Sequence, residues 1–554
     1  MRRRLFLFVI VPAFLGLLLP GCGPKETADL VLSNGKVYAV TGSESYFEAV
    51  AIKSGKITDL GPSRIIKKRI GPATRVIDLA GKLVLPGFID AHCHFAAGGR
   101  SLAGLTLREA KSVEAVQALV AAKVRELPEG APVFGSEFDH TLFPGAEWPS
   151  KVDLDEVSPH NPVVLERVDG HSLWVNSLAL RLSGISAETP DPFGGEISRV
   201  PGGSEPTGIL KEAAMRLVKI EPPESNVEED IQRALSLAAR LGLTGIHTSA
   251  TLEELQAYRK LEKTGRLTLR VYAWLPIQQI DDFLRRGIKT GDGDNLVRVG
   301  FLKVFVDGTV SSSTALLFEP FSDEPEKRGE AQYSEEEFNG LVEKAHRSGF
   351  QVGVHAIGDK GIHWALNAFE KAQEKYGRNG ARHRIEHCSL LHPDDVKRFA
   401  ELGVIASMQP THCTTDLLYC EQRFGKERSR GAYVWKTLAD QGAHLAFGTD
   451  WPVEPLDPMR GLYAAVTRQN IDSGNPPGGW FPEQRLSIRE AIKYYTYGSA
   501  YAAFEEGLKG SLRVGSFADL VVLSDNILEV EAPRILTTKV LYTIMGGKVV
   551  FQTN

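Results

Sequence analysis

The chain has 554 residues and is 43% apolar, ample for a large core with a smaller domain beside it. Its 64 basic and 69 acidic side chains give a net charge of −5, and it carries no RNA- or DNA-binding motif, so a nucleic-acid partner is excluded. There is no low-complexity tract and no fixed-period repeat.

In chain order, arginines at positions 2–4 precede an apolar run at 5–19, then Pro20, Gly21 and Cys22. The run is short for a membrane span and fits a secretory signal. A cysteine directly after a small residue resembles a bacterial lipobox, a class in which Cys22 becomes the lipidated first residue of the mature protein. Ordinary cleavage and an uncleaved anchor are the alternatives. The expectation is a signal peptide at 1–21, a polar tether at 22–28, and an exported lipoprotein held by Cys22 on the periplasmic or cell-surface side of a bacterial membrane.

Residues 29–40 read as a hairpin turned at Asn34-Gly35, and residues 49–60 as another turned at Ser54-Gly55. Residues 85–94, LPGFIDAHCH, read as a buried strand that delivers His92 and His94 at its C-terminal end. Side chains two apart on a strand project the same way, so both rings can reach one metal ion. Alone, His-x-His serves equally well for two structural histidines; the downstream segments decide. VGFLKVFVD (299–307) is an apolar strand carrying Lys303. GFQVGVHAIGD (349–359) places His355 at a strand end, HRIEH (383–387) does so for His387, and AHLAFGTD (443–450) for Asp450. Helical patterns at 334–348 and 360–376 lie between them. Strands alternating with helices predict a parallel sheet of βα units, and in a closed βα barrel active sites gather at the C-terminal strand ends. Four histidines, an aspartate and a buried lysine at such ends predict a metal centre.

The stretch 95–241 is too long for one βα connection and reads as a subdomain inserted over the barrel mouth. It contains DGHS with His171 and a Pro/Gly-rich run at 189–208. A second polar loop, 470–480, can shape substrate access from the other side. Near the C-terminus, 519–524 and 540–551 are short strands, the latter with a Gly546-Gly547 turn. Neither terminal set makes an independent core, so one small β domain assembled from both ends is the economical solution. Cys93 and Cys388 read as small buried thiols. Cys413 and Cys420 could pair, since export permits disulfides, but their spacing does not decide it.

Taken together, LPGFIDAHCH, VDGHSLWVNSLAL (168–180), LKVFVDGT (302–309), VHAIGD (354–359), RIEHC (384–388), SMQPTH (407–412) and FGTDWPVEPLDP (447–458) resemble the metal-dependent amidohydrolase superfamily. Within it the chain is similar to the amidohydrolase-3 group of YtcJ-like proteins, to which N-substituted formamide deformylases belong. One position departs: Ser311 stands where the group usually has a second glycine, which bears on a loop near the site and so on substrate preference. The resemblance implies an α/β fold, a (β/α)8 TIM-like barrel at 86–504 with an inserted subdomain and a small β-sandwich domain from 29–85 and 505–554. It also implies one or two divalent metals, zinc by ligand type. His92, His94 and Asp450 would hold one ion, His355 and His387 the other, with a carboxylated Lys303 between them. A mononuclear site using a subset is the alternative, and Lys303 paired with Asp307 is the alternative for the lysine.

The chemistry follows from the ion's charge. Metal lowers the pKa of bound water towards 7, and the hydroxide attacks a polarised carbonyl carbon. Asp450 takes the proton and passes it to the departing amine. His171 and His412 are further catalytic candidates, each equally explained as a structural cap; His140, His160, His346, His363, His383, His392 and His444 are read as ordinary. The expected activity is hydrolysis of a C–N amide-type bond, such as an N-acyl or N-formyl amine, in a small-molecule substrate. A lactonase, esterase or deaminase on the same scaffold, and a non-catalytic binding lipoprotein, are the alternatives.

Overall fold

The computed structural model describes residues 26–42, 46–221 and 226–553. The apolar leader, Gly21 and Cys22 lie outside the described residues. Among the described residues no helix is long and apolar enough to cross a membrane.

The chain opens with seven short strands: β1 (Leu30–Ser33), β2 (Lys36–Tyr38), β3 (Tyr46–Phe47), β4 (Ala49–Lys53), β5 (Lys56–Gly61), β6 (Arg75–Asp78) and β7 (Leu83–Pro86). Then β8 (Phe88–Cys93) begins the barrel. An inserted segment follows, with β9 (Leu105–Thr106), β10 (Val133–Phe138), β11 (Val163–Arg167), β12 (Ser172–Val175), β13 (Gly195–Arg199) and β14 (Pro206–Glu212). The barrel resumes with β15 (Leu243–Ser249), β16 (Arg270–Pro276), β17 (Val297–Phe305), β18 (Val352–Ala356), β19 (Arg384–His387), β20 (Ile405–Met408) and β21 (His444–Phe447). The chain ends with β22 (Leu520–Leu523), β23 (Val540–Met545) and β24 (Lys548–Gln552).

Eight parallel strands in the order β21-β20-β19-β18-β17-β16-β15-β8 form the nearly closed barrel. Its strands are buried on both faces, as in the BBBBB pattern of β18, because side chains fill the interior and helices cover the outside. Between them run helices such as Glu335–Arg347, started by a Ser334–Glu337 capping box, and Asp359–Tyr376. The inserted segment builds its own six-stranded sheet, β13-β14-β12-β11-β10-β9. A further sheet, β24-β23-β22-β7-β2-β3, takes strands from both ends of the chain, and β5-β4-β1-β6 packs beside it.

The Ser54-Gly55 turn joins β4 and β5, with Lys53 opposite Lys56, and Gly546-Gly547 joins β23 and β24, with Met545 opposite Lys548. The Asn34-Gly35 hairpin, however, does not form. β1 pairs with β4 and β6, whereas β2 pairs with β3 and β7. Asn34, at φ 59°, and Gly35 instead step the chain from one sheet to the other. A Cβ on Gly35 would fall 2.4 Å from Leu79 Cδ1 and 3.2 Å from the Lys82 carbonyl, so a side chain there would have to push Leu79 aside. The step lets Leu30 and Leu32 of one sheet meet Val37, Val84 and Leu520 of the other in one apolar core, which a local hairpin would have left unfilled. Cys413 and Cys420 are both buried and unpaired.

Candidate metal centre

Five barrel strands deliver the candidate ligands to one place. β8 carries His92 and runs straight into His94, β17 carries Lys303, β18 carries His355, β19 ends in His387, and Asp450 follows β21. His92, His387 and Asp450 offer ligand atoms all within 4.8 Å of one another. His94 Nε2 lies 3.2 Å and His92 Nε2 3.4 Å from Asp450 Oδ1. The His355 ring packs on His387 at 4.5 Å, its Nε2 3.1 Å from the carbonyl oxygen of Gly308. His171 stands 5.1 Å from His355, ring to ring, and His412 Nε2 is 3.3 Å from Asp450 Oδ2. All the candidate residues thus converge, with His92, His387 and Asp450 as the tight group and the others around it.

Local backbone explains the aim of these side chains. His387 at φ 76° and Asp450 at φ 62° both adopt the left-handed region, which a non-glycine residue enters only when its surroundings enforce it. At Asp450 the enforcement is visible. The strand closure is clamped by Asp90, which accepts from the backbone N–H groups of His92 and Thr449, each at 3.0 Å, and from the Thr449 hydroxyl. Asp450 N–H donates to the His92 carbonyl at 2.7 Å. A Cβ on Gly448 would lie 2.5 Å from the His92 nitrogen, so the approach of the two strands requires glycine there.

The electrostatics favour a cation between these groups. Burial, helped by Lys303, pushes His92 down to about 4, and burial drives His355 and His387 well below the usual histidine range. At neutral pH these rings are uncharged and offer lone pairs. Burial raises a carboxyl, but His412, His94 and the other imidazoles around Asp450 outweigh it and hold that group ionised. Its Oδ1 is buried with no hydrogen-bond partner, an orphaned acceptor facing the His92 and His94 rings. The donor set therefore fits a divalent ion. Lys303 is 2% exposed, and burial brings its ammonium down to about 8. It does not pair with Asp307. Its Nζ is 3.3 Å from His92 Nε2 and lies over the Trp274 and Phe305 rings. Asp307 instead accepts backbone N–H groups of Leu316 and Gly358 at 2.9 and 2.8 Å.

Several residues around the centre escaped the sequence reading. His92 Nδ1 donates to Glu386 Oε2 at 2.7 Å, which commits its Nε2 to the centre. Glu386 is gripped by Arg384, which also reaches Ser407, the Ala91 carbonyl and His247. Arg384 and Glu386 sit two apart on a buried strand, a charged pair on one face, and that pattern was the available signal. From the inserted segment, Asp169 accepts hydroxyls of Thr309, Ser311 and Ser312, each at 3.1 Å, and pairs with Arg167. Ser311, the departure noted above, is thus a buried tie between the loop after β17 and the insertion. Two chambers open on the centre, sharing His171, His355, His387 and Asp450 in their walls. One of about 840 Å³ includes Trp274, Phe305 and Tyr333; one of about 270 Å³ includes Asp416, Glu454 and Arg460.

The Amidohydrolase family matches residues 75–551. The chain is 32% identical over 528 residues to the putative amidohydrolase YtcJ of Bacillus subtilis, covering 94% of this chain and 98% of that one. It is 27% identical over 546 residues to an N-substituted formamide deformylase of Arthrobacter pascens, again covering 94% and 98%. Its fold is similar to the crystal structure of an uncharacterized metal-dependent hydrolase from Pyrococcus horikoshii, with TM-score 0.72 and 30% identity over 91% of this chain and 99% of that one. The chain belongs to the amidohydrolase family and is a metal-dependent hydrolase.

Proposed function

We propose that this hydrolase cleaves a C–N amide-type bond, such as that of an N-formyl or N-acyl amine, with Asp450 as its proton carrier. The observation that carries the reading is the Asp450 carboxylate: ionised, 6% exposed, in the walls of both chambers, with one oxygen near His412 and the other unpartnered. Divalent metal, zinc by ligand type, would be held by His92, His94 and Asp450 at one position and by His355 and His387 at a second, with a carboxylated Lys303 serving both, and would acidify water and polarise a carbonyl. Asp450 accepts the proton of the attacking water and returns it to the departing nitrogen, without which an amine is a poor leaving group. His171 faces the carbonyl oxygen as a donor. Glu212 beside it outweighs burial and keeps the ring protonated, up to about 9. Across the carboxylate His412, likewise raised to about 9 by Asp450 against burial, keeps that group from drifting.

The similarity to a protein named N-substituted formamide deformylase supports the choice of bond. The test is elemental analysis of purified protein reloaded with zinc, beside turnover of N-formyl and N-acyl amines, simple esters, lactones and aminopurines, with and without chelator. At least one metal equivalent and chelator-sensitive release of amine are expected. Release of alcohol or ammonia only would assign the esterase or deaminase chemistry instead, and no metal after reloading would sink the account. The leader and Cys22 support an exported enzyme anchored by lipid, so Cys22→Ala is expected to shift it to the soluble fraction or leave it unprocessed.

A further inference from the structure

We infer that Glu212 is the positioning residue that fixes His171 and so makes the inserted segment part of the reaction centre; the catalytic consequence rests on the reading of His171 above. Glu212 ends β14, in the sheet that no barrel strand joins. Its carboxylate, 6% exposed, forms no ion pair with a lysine or arginine among the described residues. Both its oxygens reach one imidazole: His171 Nδ1 lies 2.9 Å from Oε2 and 3.1 Å from Oε1. Oε1 also accepts the Thr314 hydroxyl at 2.8 Å, from the loop after β17. The backbone repeats the tie, since Glu212 N–H donates to the His171 carbonyl at 3.1 Å.

Two features show that the surroundings are built around this carboxylate. Glu212 holds φ 52°, ψ −124°, a conformation that glycine adopts freely and a residue with a Cβ adopts under constraint. Glycine there would relieve the backbone but would leave His171 without an acceptor. Opposite, Gly308 makes the room: a Cβ on it would fall 2.1 Å from Glu212 Oε1 and 2.1 Å from Thr314 Oγ1. The carbonyl of that same Gly308 is the partner of His355 Nε2. One glycine therefore sets the distance between the Glu212–His171 pair and a candidate ligand. With Nδ1 committed as a donor to Glu212, Nε2 is the ring nitrogen left for the chambers that His171 lines.

The experiment has two arms. In the first, imidazole nitrogen shifts are recorded on histidine-labelled, zinc-loaded protein, with His171 identified by its loss in His171→Ala. The proposal expects a proton on Nδ1 in the wild type; an unprotonated Nδ1 overturns it, whatever the substrate. The second arm uses any amide the enzyme cleaves and compares Glu212→Gly, Glu212→Gln, His171→Ala and the Glu212→Gly/His171→Ala double variant. Glu212→Gly is expected to keep its metal and its melting temperature, because glycine fits the backbone, while kcat falls at least ~10-fold with little change in KM. Glu212→Gln, which keeps an acceptor, should recover most of that loss. The double variant should be no slower than His171→Ala alone. Losses that multiply in the double variant, or wild-type kcat in Glu212→Gly, overturn the role. Failure of all amides to react, with Nδ1 protonated, would count against the assigned bond and leave the pairing standing.

Discussion

One histidine stands just before strand β19 and another ends it, and the two could hardly be used more differently. On the N-terminal side, His383 is 2% exposed and stacked on Phe369. Its Nδ1 accepts the Val352 N–H at 3.0 Å, its Nε2 donates to His346 Nδ1 at 2.8 Å, and His346 Nε2 donates to the Gly377 carbonyl at 3.0 Å. Every ring nitrogen of the pair is used, and the backbone donor fixes both tautomers. At the C-terminal end, His387 is also buried, at 5% exposed, but faces His92, His355 and an Asp450 oxygen without a partner. Burial does not separate a structural histidine from a working one; closure of its hydrogen bonds does.

The sharpest way to break this contrast is at Asp450. Asp450→Asn keeps size but cannot carry a proton, so kcat is expected to drop at least ~10²-fold while the fold and the metal at the His355–His387 half remain. Turnover near wild type with normal metal content would remove Asp450 as carrier and leave His171 or His412. Next, Lys303→Arg tests whether the open end needs a carboxylated lysine. Guanidinium cannot take up carbon dioxide, so metal content should fall in elemental analysis. A crystal map of the zinc-loaded wild type should show three extra heavy atoms on Lys303 Nζ; a bare ammonium defeats the idea.

The smallest effect belongs to the closed end. Burial, with His346 beside it, pushes His383 down to about 3. The unfolded chain therefore takes up the proton first. The stabilisation is complete above about pH 6.5 and is lost as pH falls from there towards 3, by at most ~1.4 kcal/mol per pH unit. Urea unfolding at pH 7 and pH 5 should show a shallower loss in a His346→Leu/His383→Phe variant than in the wild type. Equal slopes would mean that the pair carries no such linkage.

Much of the barrel was legible because each strand announces itself locally: an apolar run, a chemically distinct residue at its end, and a helix after it. His92, His355, His387 and Asp450 could be picked out that way before any contact was known. Glu386 and Glu212 could not. Each acts through one partner 294 and 41 positions away, and such pairing depends on strand register. The Asn34-Gly35 step misled for a related reason. A two-residue turn ordinarily closes a hairpin, but here the apolar faces of β1 and β2 found better partners in β4, β6 and β7. Ser311 was visible as an oddity, yet its purpose, tying the loop after β17 to Arg167 and Asp169, appears only once the insertion is folded over it.

The sheet that draws on both ends has a consequence for the order of events during synthesis. β7 lies between β2 and β22, with Leu85 opposite Val521, and β7 runs through Gly87 directly into the strand bearing His92 and His94. Leu520 follows Cys93 by 520 − 93 = 427 positions, which at ribosomal speeds of ~5–20 residues per second is roughly 20–85 s. His92, His94, Lys303, His355, His387 and Asp450 have all emerged before that brace arrives. Strand β7, which leads into the first barrel strand, thus waits on the last part of the chain for its second neighbour, and a message truncated before β22 yields every candidate ligand and no finished frame to hold them.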